Sequence, residues 1–152
     1  MHIYLAADHN GLKLKDALRD WLKSEGKKVT DLGPDVYDQN DDYPDFGIQV
    51  ARAVASRPEE NVGILVCGSG VGMAVVADKV KGVRAGLIHD PAIAQAARRD
   101  DDINVLALGA RFISAAGAKR VVMAWLQEKF SGAERHRRRI DKIIKLENEQ
   151  GR

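Results

Sequence analysis

Cysteine is almost absent from this chain, because Cys67 is the single one among 152 residues. One cysteine excludes an intramolecular disulfide and therefore a disulfide-stapled secreted scaffold. No window approaches the roughly 18 apolar residues of a membrane span. The start, from Met1 to Leu5, has neither the basic leader nor the long apolar stretch of a signal peptide. We therefore expect a protein of the reducing cytoplasm that does not bind membranes.

Charge of one sign is also scarce. The chain has 24 Lys and Arg against 22 Asp and Glu, a net charge of +2 that gives no global reason to expect nucleic-acid binding. Aromatic residues make up only 5%, so side chains on which bases could stack are few. A length of 152 residues with 45% hydrophobic side chains suits one core, and we predict one domain over residues 1–152.

Strand-like and helix-like segments alternate along the chain. This alternation predicts a parallel sheet with helices on both faces, a three-layer α/β sandwich. Asp90-Pro91 and Ser114 are predicted helix starts, because both offer an N-cap side chain. The predicted strands cover residues 3–7, 28–32, 62–66, 84–88 and 105–108, and the predicted helices cover 12–24, 43–56, 71–79, 91–99 and 114–129.

A sixth helix is predicted over about 133–150. Its apolar residues, Ile140, Ile143, Ile144 and Leu146, form a narrow stripe that suits packing on the body or on a second subunit. The segment also holds the strongest charge run, residues 134–139. Arg135 and Arg139 are four residues apart and share a helix face, so they either grip one phosphate or belong to a solvated surface.

The most informative segment is the apolar strand that runs into Cys67-Gly68-Ser69-Gly70-Val71-Gly72. Glycines let the main chain turn tightly and approach a ligand, and the following helix directs unpaired N–H groups at the same place. Such a loop favours anions or developing oxyanions. Cys67 is either a small core residue or the thiolate of a nucleophile or base. A dinucleotide-binding turn is disfavoured, since the spacing is G-x-G-x-G and the loop follows the third strand.

Ligands of an open parallel sheet bind beyond the carboxyl ends of its strands. The residues predicted there, besides the cysteine loop, are Asp8, His9 and Asn10, then His89 and Asp90, and then residues 109–111. The Asp8-His9 pair offers a carboxylate for a sugar hydroxyl and an imidazole for a phosphate or a proton, or it is an ordinary turn.

Five blocks together resemble the type B ribose-5-phosphate isomerases and the related galactose-6-phosphate isomerases. The resemblance implies a Rossmann-like (flavodoxin-like) fold and an aldose–ketose isomerase of a phosphorylated sugar. It also implies homodimers or dimers of dimers with sites at the subunit interface, and no metal or organic cofactor. The blocks are Ala7-Asp8-His9, Asp42-Tyr43-Pro44, Cys67 to Gly72, Asn104-Val105-Leu106 with Gly109-x-Arg111, and Arg135-His136-x-x-Arg139.

The same resemblance implies a role for each matching residue. Cys67 is the base that moves a proton between C1 and C2 through an enediolate, and Ser69 helps to move the proton of its oxygens. The amides of Gly68, Gly70, Val71 and Gly72 stabilise those oxygens. Further substrate contacts are implied for Asp8 and Tyr43 on the sugar, for His9, Arg135 and Arg139 on the phosphate, and for Arg111 near the intermediate.

One stretch departs from the family pattern. Asp100 and Asp101 stand where ribose-phosphate isomerases carry the histidine that opens the sugar ring and an asparagine that contacts substrate. We expect this pair to face the cysteine loop. Three interpretations stay open: Asp100 acts as acid or base if neighbouring carboxylates raise its pKa, His136 or His9 takes over, or the substrate is already open or is not ribose 5-phosphate.

The leading prediction is an isomerase of ribose 5-phosphate and ribulose 5-phosphate. The alternatives are an isomerase of a six-carbon or other aldose phosphate, of the galactose or allose 6-phosphate type, and a non-catalytic phosphate- or nucleotide-binding module.

Overall fold

The computed structural model describes residues 1–149 and 151. Its strands are β1 (His2–Ala7), β2 (Val29–Asp31), β3 (Asn61–Cys67), β4 (Ala85–Leu87) and β5 (Val105–Gly109). Its helices are α1 (Leu12–Ser24), α2 (Tyr43–Ala55), α3 (Val71–Ala77), α4 (Pro91–Asp101), α5 (Ala115–Gln127) and α6 (Glu134–Glu149). All strands are parallel, in the order β2-β1-β3-β5-β4. No helix in this described part is long and apolar enough to cross a bilayer.

The predicted fold class is confirmed, and each predicted element occurs with its ends displaced by at most two residues. Both predicted caps form. The carboxylate of Asp90 accepts from the N–H groups of Ala92 and Ile93, and the Ser114 hydroxyl accepts from Gly117 N–H. The predicted end of α6 at Gln150, like Arg152, lies outside the described residues.

The core has two layers because alternate residues of a strand point to opposite faces of the sheet. On one face, Ile64 and Val66 pack with residues of α1, α4 and α5, among them Leu18 and Trp125. On the other face, Leu65 and Cys67 pack with residues of α2 and α3. A sheet covered on both faces explains why β3 is apolar from end to end.

Helix α6 packs mainly against α4. Of its apolar stripe only Ile140 is buried, whereas Ile143, Ile144 and Leu146 are between 40% and 52% exposed. Within one chain the stripe is therefore fully covered at one residue, while Ile143, Ile144 and Leu146 stay about half exposed beside the body.

The strand order places β1 beside β3 at the point where the chain changes direction across the sheet. Strand β2 lies on one side of β1, and the later strands lie on the other. In such sheets the crevice at this switch point is the usual ligand site. Asp8 directly follows one of the two strands that flank it, and Cys67 ends the other.

Candidate active site

Cys67 ends β3 with only 5% of its surface exposed. Its Sγ accepts a 3.1 Å hydrogen bond from the backbone N–H of Gly70. Gly70 has φ +80°, a conformation that L side chains rarely adopt, and it directs the chain from this turn into α3. The loop thus binds the sulfur through a backbone donor, which a thiolate accepts better than a thiol does.

The loop also presents backbone donors to a ligand. The N–H of Val71 is bonded to Ser69 Oγ at 3.3 Å. Within residues 1–149 and 151, the N–H groups of Gly68, Ser69 and Gly72 have no hydrogen-bond partner. Unpaired N–H groups beside a reactive thiol form the arrangement that stabilises a developing oxyanion.

Two side chains lie on the glycines of this loop. A Cβ at Gly72 would stand 2.7 Å from the Tyr43 ring, and a Cβ at Gly68 would stand 3.3 Å from the Arg111 guanidinium. Tyr43 begins α2 and Arg111 follows β5, so two distant parts of the chain close over the loop. The absence of side chains at both glycines is what lets these groups approach the backbone.

At the end of β1, Asp8 and His9 take different roles. Asp8 is buried, and its Oδ1 accepts from Gly11 N–H at 3.0 Å. Asp41 Oδ1 lies 2.6 Å from His9 Nδ1 and also accepts from the backbone N–H of His9 at 3.1 Å. The hydrogen bond to Asp41 raises the pKa of His9 above its ordinary value, although desolvation opposes this.

A chain of polar contacts continues from His9 to Arg111. Asn10 Nδ2 lies 2.9 Å from His9 Nε2, and Asn10 Oδ1 accepts from Arg111 Nη2 at 3.3 Å. The network crosses the switch point from β1 to the segment after β5, and it places the His9 imidazole and the Arg111 guanidinium at the same edge of the sheet as Cys67.

Asp8, His9 and Asp41 are close enough together to bind a metal ion. Ligand atoms of Asp8, His9 and Asp41 lie within 4.8 Å of one another. The 2.6 Å separation of His9 Nδ1 and Asp41 Oδ1 is that of a hydrogen bond, so a proton already occupies this position. We therefore interpret the cluster as a hydrogen-bonded network.

The remaining predicted site residues lie at the opposite edge of the sheet. Helix α4 begins at the carboxyl edge and ends at the amino edge, where the carbonyl of Asp101 accepts from Arg84, the residue just before β4. The five residues of β5 alone separate the two edges by about 13 Å. The expectation that Asp100 and Asp101 face the cysteine loop is wrong within one chain, because α4 runs antiparallel to the strands.

Asp100 forms a second cluster at that edge. His136 is buried, its Nδ1 lies 2.7 Å from Ser131 Oγ, and the same nitrogen is 3.7 Å from Asp100 Oδ1. Arg135 and Arg139 are exposed beside it on α6. One chain therefore carries the Cys67 loop at one edge of the sheet and Arg135 and Arg139 at the other. We call these groups the thiol half and the arginine half of the predicted site.

The idea that carboxylates raise the pKa of Asp100 is also wrong. The hydrogen bond from Arg99 Nε, at 3.0 Å, together with the charges of Arg99, His136 and Arg135, holds the pKa of Asp100 below its ordinary value. Asp100 is therefore ionised near neutral pH and has no proton to donate.

Sequence reasoning missed Asp41, the residue that holds His9. It lies 32 positions from His9 in an irregular segment. The one sequence signal for it was the acidic pair Asp41-Asp42 directly before Tyr43. His89, a candidate by position, accepts from Gly109 N–H at 2.9 Å and so serves to hold the end of β5.

These features define a class: an α/β enzyme with a thiol and unpaired amides, suited to a small anionic ligand, at the switch point of a parallel sheet. Residues 3–143 match the family model described as Ribose/Galactose Isomerase. The chain belongs to this family, and it is an aldose–ketose isomerase.

Individual relatives agree with this assignment. Probable ribose-5-phosphate isomerase B of Mycoplasma genitalium is 45% identical over 97% of this chain and 97% of its own length. The D-erythrulose-4-phosphate isomerase of Pectobacterium atrosepticum is 40% identical over 87% of this chain and 86% of its own length. The crystal structure of the Mycoplasma genitalium isomerase with bound ribulose-5-phosphate matches with a TM-score of 0.94 over 97% of both chains.

Proposed function

We propose that the chain interconverts ribose 5-phosphate and ribulose 5-phosphate, with Cys67 as the base. The observation that carries the mechanism is the Cys67 sulfur at the switch point, bonded to Gly70 N–H and surrounded by unpaired loop amides. The substrate is supported by the similarity to the Mycoplasma genitalium isomerase whose structure holds ribulose-5-phosphate.

In the aldose-to-ketose direction the Cys67 thiolate removes the proton from C2, and the electron pair forms the C1–C2 double bond of an enediolate. The thiol then returns the proton to C1, and the carbonyl moves to C2. Ser69 transfers the remaining proton between the two oxygens, and the N–H groups of Gly68 and Gly72 stabilise their charge. The hydrogen shift is internal to the sugar, so the reaction needs no external oxidant or reductant.

The sugar and phosphate contacts follow the two halves of the site. Asp8 and Tyr43 flank the loop and suit the sugar hydroxyls, while His9 and Arg111 supply positive charge at the same edge. Arg135 and Arg139 grip the phosphate from a second copy of the chain, and Asp101, His136 and Asp100 of that copy approach the substrate with them. A thiolate base must stay reduced, so a reducing cytoplasm suits this chemistry.

A homodimer joins the halves that one chain separates. In a closed two-fold dimer the same patch of each copy meets the other, so two complete sites arise from two thiol halves and two arginine halves. A dimer of dimers keeps this pairing.

Subunit mixing tests the shared site. A Cys67→Ala chain and an Arg135→Ala/Arg139→Ala chain are each expected to be inactive, yet their heterodimer holds one intact site. A 1:1 mixture that is unfolded and refolded together should recover about a quarter of wild-type activity by random pairing. If neither mixing nor co-expression recovers activity, although sedimentation shows heterodimers, the shared site is wrong.

Proton exchange tests the activity directly. In heavy water the enzyme should introduce deuterium at C2 of ribose 5-phosphate and at C1 of ribulose 5-phosphate, followed by NMR. Exchange with galactose or allose 6-phosphate in place of the pentose would favour a six-carbon substrate. Calorimetric binding of phosphate or nucleotides without exchange on any sugar phosphate would favour a non-catalytic binding module.

A second candidate is an isomerase of a four-carbon sugar phosphate. Asp100 is ionised and has no proton for ring opening. A four-carbon aldose 4-phosphate needs no ring opening, because its O4 is esterified and cannot close a five-membered ring. One relative, 40% identical, is a D-erythrulose-4-phosphate isomerase. Competition between erythrose 4-phosphate and ribose 5-phosphate in one reaction distinguishes the two by their relative kcat/KM.

A further inference from the structure

We propose that Asp41 is a positioning residue of the active site, which orients the His9 ring so that Nε2 is presented to the substrate phosphate. The inference rests on the proposed function, since it assigns His9 to the phosphate of that substrate. Asp41 itself does not touch substrate in this scheme.

Two hydrogen bonds converge on one atom of Asp41. Its Oδ1 accepts from the backbone N–H of His9 at 3.1 Å and lies 2.6 Å from His9 Nδ1. The first bond holds the backbone at the end of β1, and the second holds the ring of the same residue. Tyr37 contacts the ring edge-on, with centroids 5.9 Å apart at 88°. The imidazole is therefore held in one orientation by groups of the segment before α2.

This geometry determines which nitrogen is available. Because Nδ1 donates to Asp41, Nε2 is an acceptor in the neutral ring and a donor in the imidazolium. Nε2 lies 2.9 Å from Asn10, whose other amide atom accepts from Arg111. A phosphate that displaces the Asn10 amide would meet a ring nitrogen and a guanidinium on the same side.

The other oxygen of Asp41 favours a charged pair once a phosphate displaces Asn10, whose Nδ2 donor faces a neutral Nε2 in its absence. Oδ2 is buried and has no hydrogen-bond partner among the described residues, and the side chain is only 9% exposed. A buried carboxylate oxygen without a donor is costly unless a cation compensates it, and the His9 imidazolium is the cation in contact.

The acidic groups around His9 act in the same direction. Asp8, just after β1, and Asp38 and Asp41, from the segment before α2, favour the imidazolium, whereas Arg111, reached through Asn10, is a cation. The hydrogen bond that His9 donates to Asp41 is the largest cause of the raised pKa of His9. Asp41 thus orients the His9 ring and is the main group that favours its positive charge, the charge that suits a phosphate contact.

The test compares Asp41→Asn with Asp38→Asn. The second variant removes an equal charge from the same segment, and its side chain still accepts from Asn40 N–H but has no contact with His9. NMR titration of the His9 imidazole, assigned with His9→Gln, gives its titration midpoint with and without inorganic phosphate. Steady-state kinetics with ribose 5-phosphate give KM and kcat separately.

We expect Asp41→Asn to lower the His9 midpoint by about one pH unit and to raise KM about tenfold, since a charge-assisted contact is weakened. Because chemistry at Cys67 is unaffected, kcat should change less than about threefold. Asp38→Asn should shift the midpoint far less and keep the wild-type KM. In the His9→Gln background, Asp41→Asn should raise KM no further, because the two residues act through one contact.

An unchanged His9 midpoint in Asp41→Asn, or a KM increase that persists in full in His9→Gln, would overturn the proposal. If Asp41→Asn does not fold, as judged by circular dichroism, Asp41→Ser, whose hydroxyl is a neutral acceptor, replaces it in the double-mutant comparison with His9→Gln. If the wild type does not isomerise ribose 5-phosphate, the proposed function fails, while the His9 midpoint and its response to inorganic phosphate still decide the role of Asp41.

Discussion

The sulfur of Cys67 accepts a hydrogen bond from the backbone N–H of Gly70, three residues further along the same loop. This bond closes the turn from Cys67 to Gly70, and Gly70, with φ +80°, then directs the chain into α3. The reactive atom is thus held by the backbone, which cannot change rotamer.

Cys67→Ala should lower turnover by at least about a hundredfold, the usual contribution of a positioned base. Cys67→Ser is the matched control, since it keeps the shape of the side chain but replaces the thiol with a far less acidic group, and it should be nearly as slow. Deuterium exchange at C2 measures both. A near-normal rate in either variant would remove Cys67 from the role of base.

Gly70→Ala should destabilise the fold and abolish activity. An added Cβ would stand 2.8 Å from the Leu108 backbone and 2.9 Å from Gly109 N, atoms that cannot move aside. Gly82→Ala measures the stability lost through backbone conformation alone, because Gly82 has φ +84° and an added Cβ would meet nothing within 4 Å. Urea unfolding should show a loss of about 1 kcal/mol for Gly82→Ala and about 3 kcal/mol or more for Gly70→Ala. Equal losses would mean that the loop relaxes.

Asp31→Asn should destabilise the protein by about 3 kcal/mol. It removes the shorter of the two carboxylate contacts of the fully buried Lys15, 2.6 Å to Asp31, and leaves only the longer and more exposed one, 3.2 Å to Asp16. Asp20→Asn is the control, since Asp20 is exposed and pairs with Arg19 at the surface, so its loss should not change the stability measurably. Urea unfolding at neutral pH measures both losses.

The loss in Asp31→Asn should depend on pH in a defined direction. Desolvation opposes ionisation of Asp31, but hydrogen bonds from Lys15, Gly33 N–H and Arg19 hold its pKa below the ordinary value. A depressed folded-state pKa means that the stabilisation is present above the unfolded-state pKa and is lost as pH falls through the folded one. The difference from wild type should therefore shrink below about pH 4. A difference that stays constant down to pH 2 contradicts this assignment.

Asp100→Asn should leave kcat within about threefold of wild type, because a group that is ionised at neutral pH gives no acid catalysis to lose. The acid side of the kcat profile should keep its shape as well. Asp141→Asn, an exposed change on α6, shows how much a surface charge on the neighbouring helix matters. A loss of more than about tenfold in Asp100→Asn alone would restore Asp100 as a catalytic group.

The elements of this fold follow from local signals. Alternating apolar runs, the Asp90 and Ser114 caps and the glycines between segments act over a few residues, so they predicted strands and helices to within two residues. The position of β5 between β3 and β4 was not predicted. Its physical reason is burial: all five residues of β5 are buried, whereas the shorter β4 is partly exposed and suits the edge.

The candidate site also combines features that the sequence predicted with contacts that it did not. The sequence predicted which residues lie at the carboxyl ends of β1, β3 and β5. It also predicted the glycine loop that surrounds Cys67 with backbone donors. The contact between His9 and Asp41 was not, because it joins residues 32 positions apart through an irregular segment.

The sequence by itself determined the order of βα units, the glycine loop at Cys67 and the family to which its motifs belong, because short-range propensity and motif spacing carry that information. Only the tertiary structure decided that Asp100, Arg135 and Arg139 lie at the edge away from Cys67, and that Asp100 is ionised beside Arg99. Which edge a residue occupies depends on the direction of each helix across the sheet, and its protonation depends on the neighbours that packing brings to it.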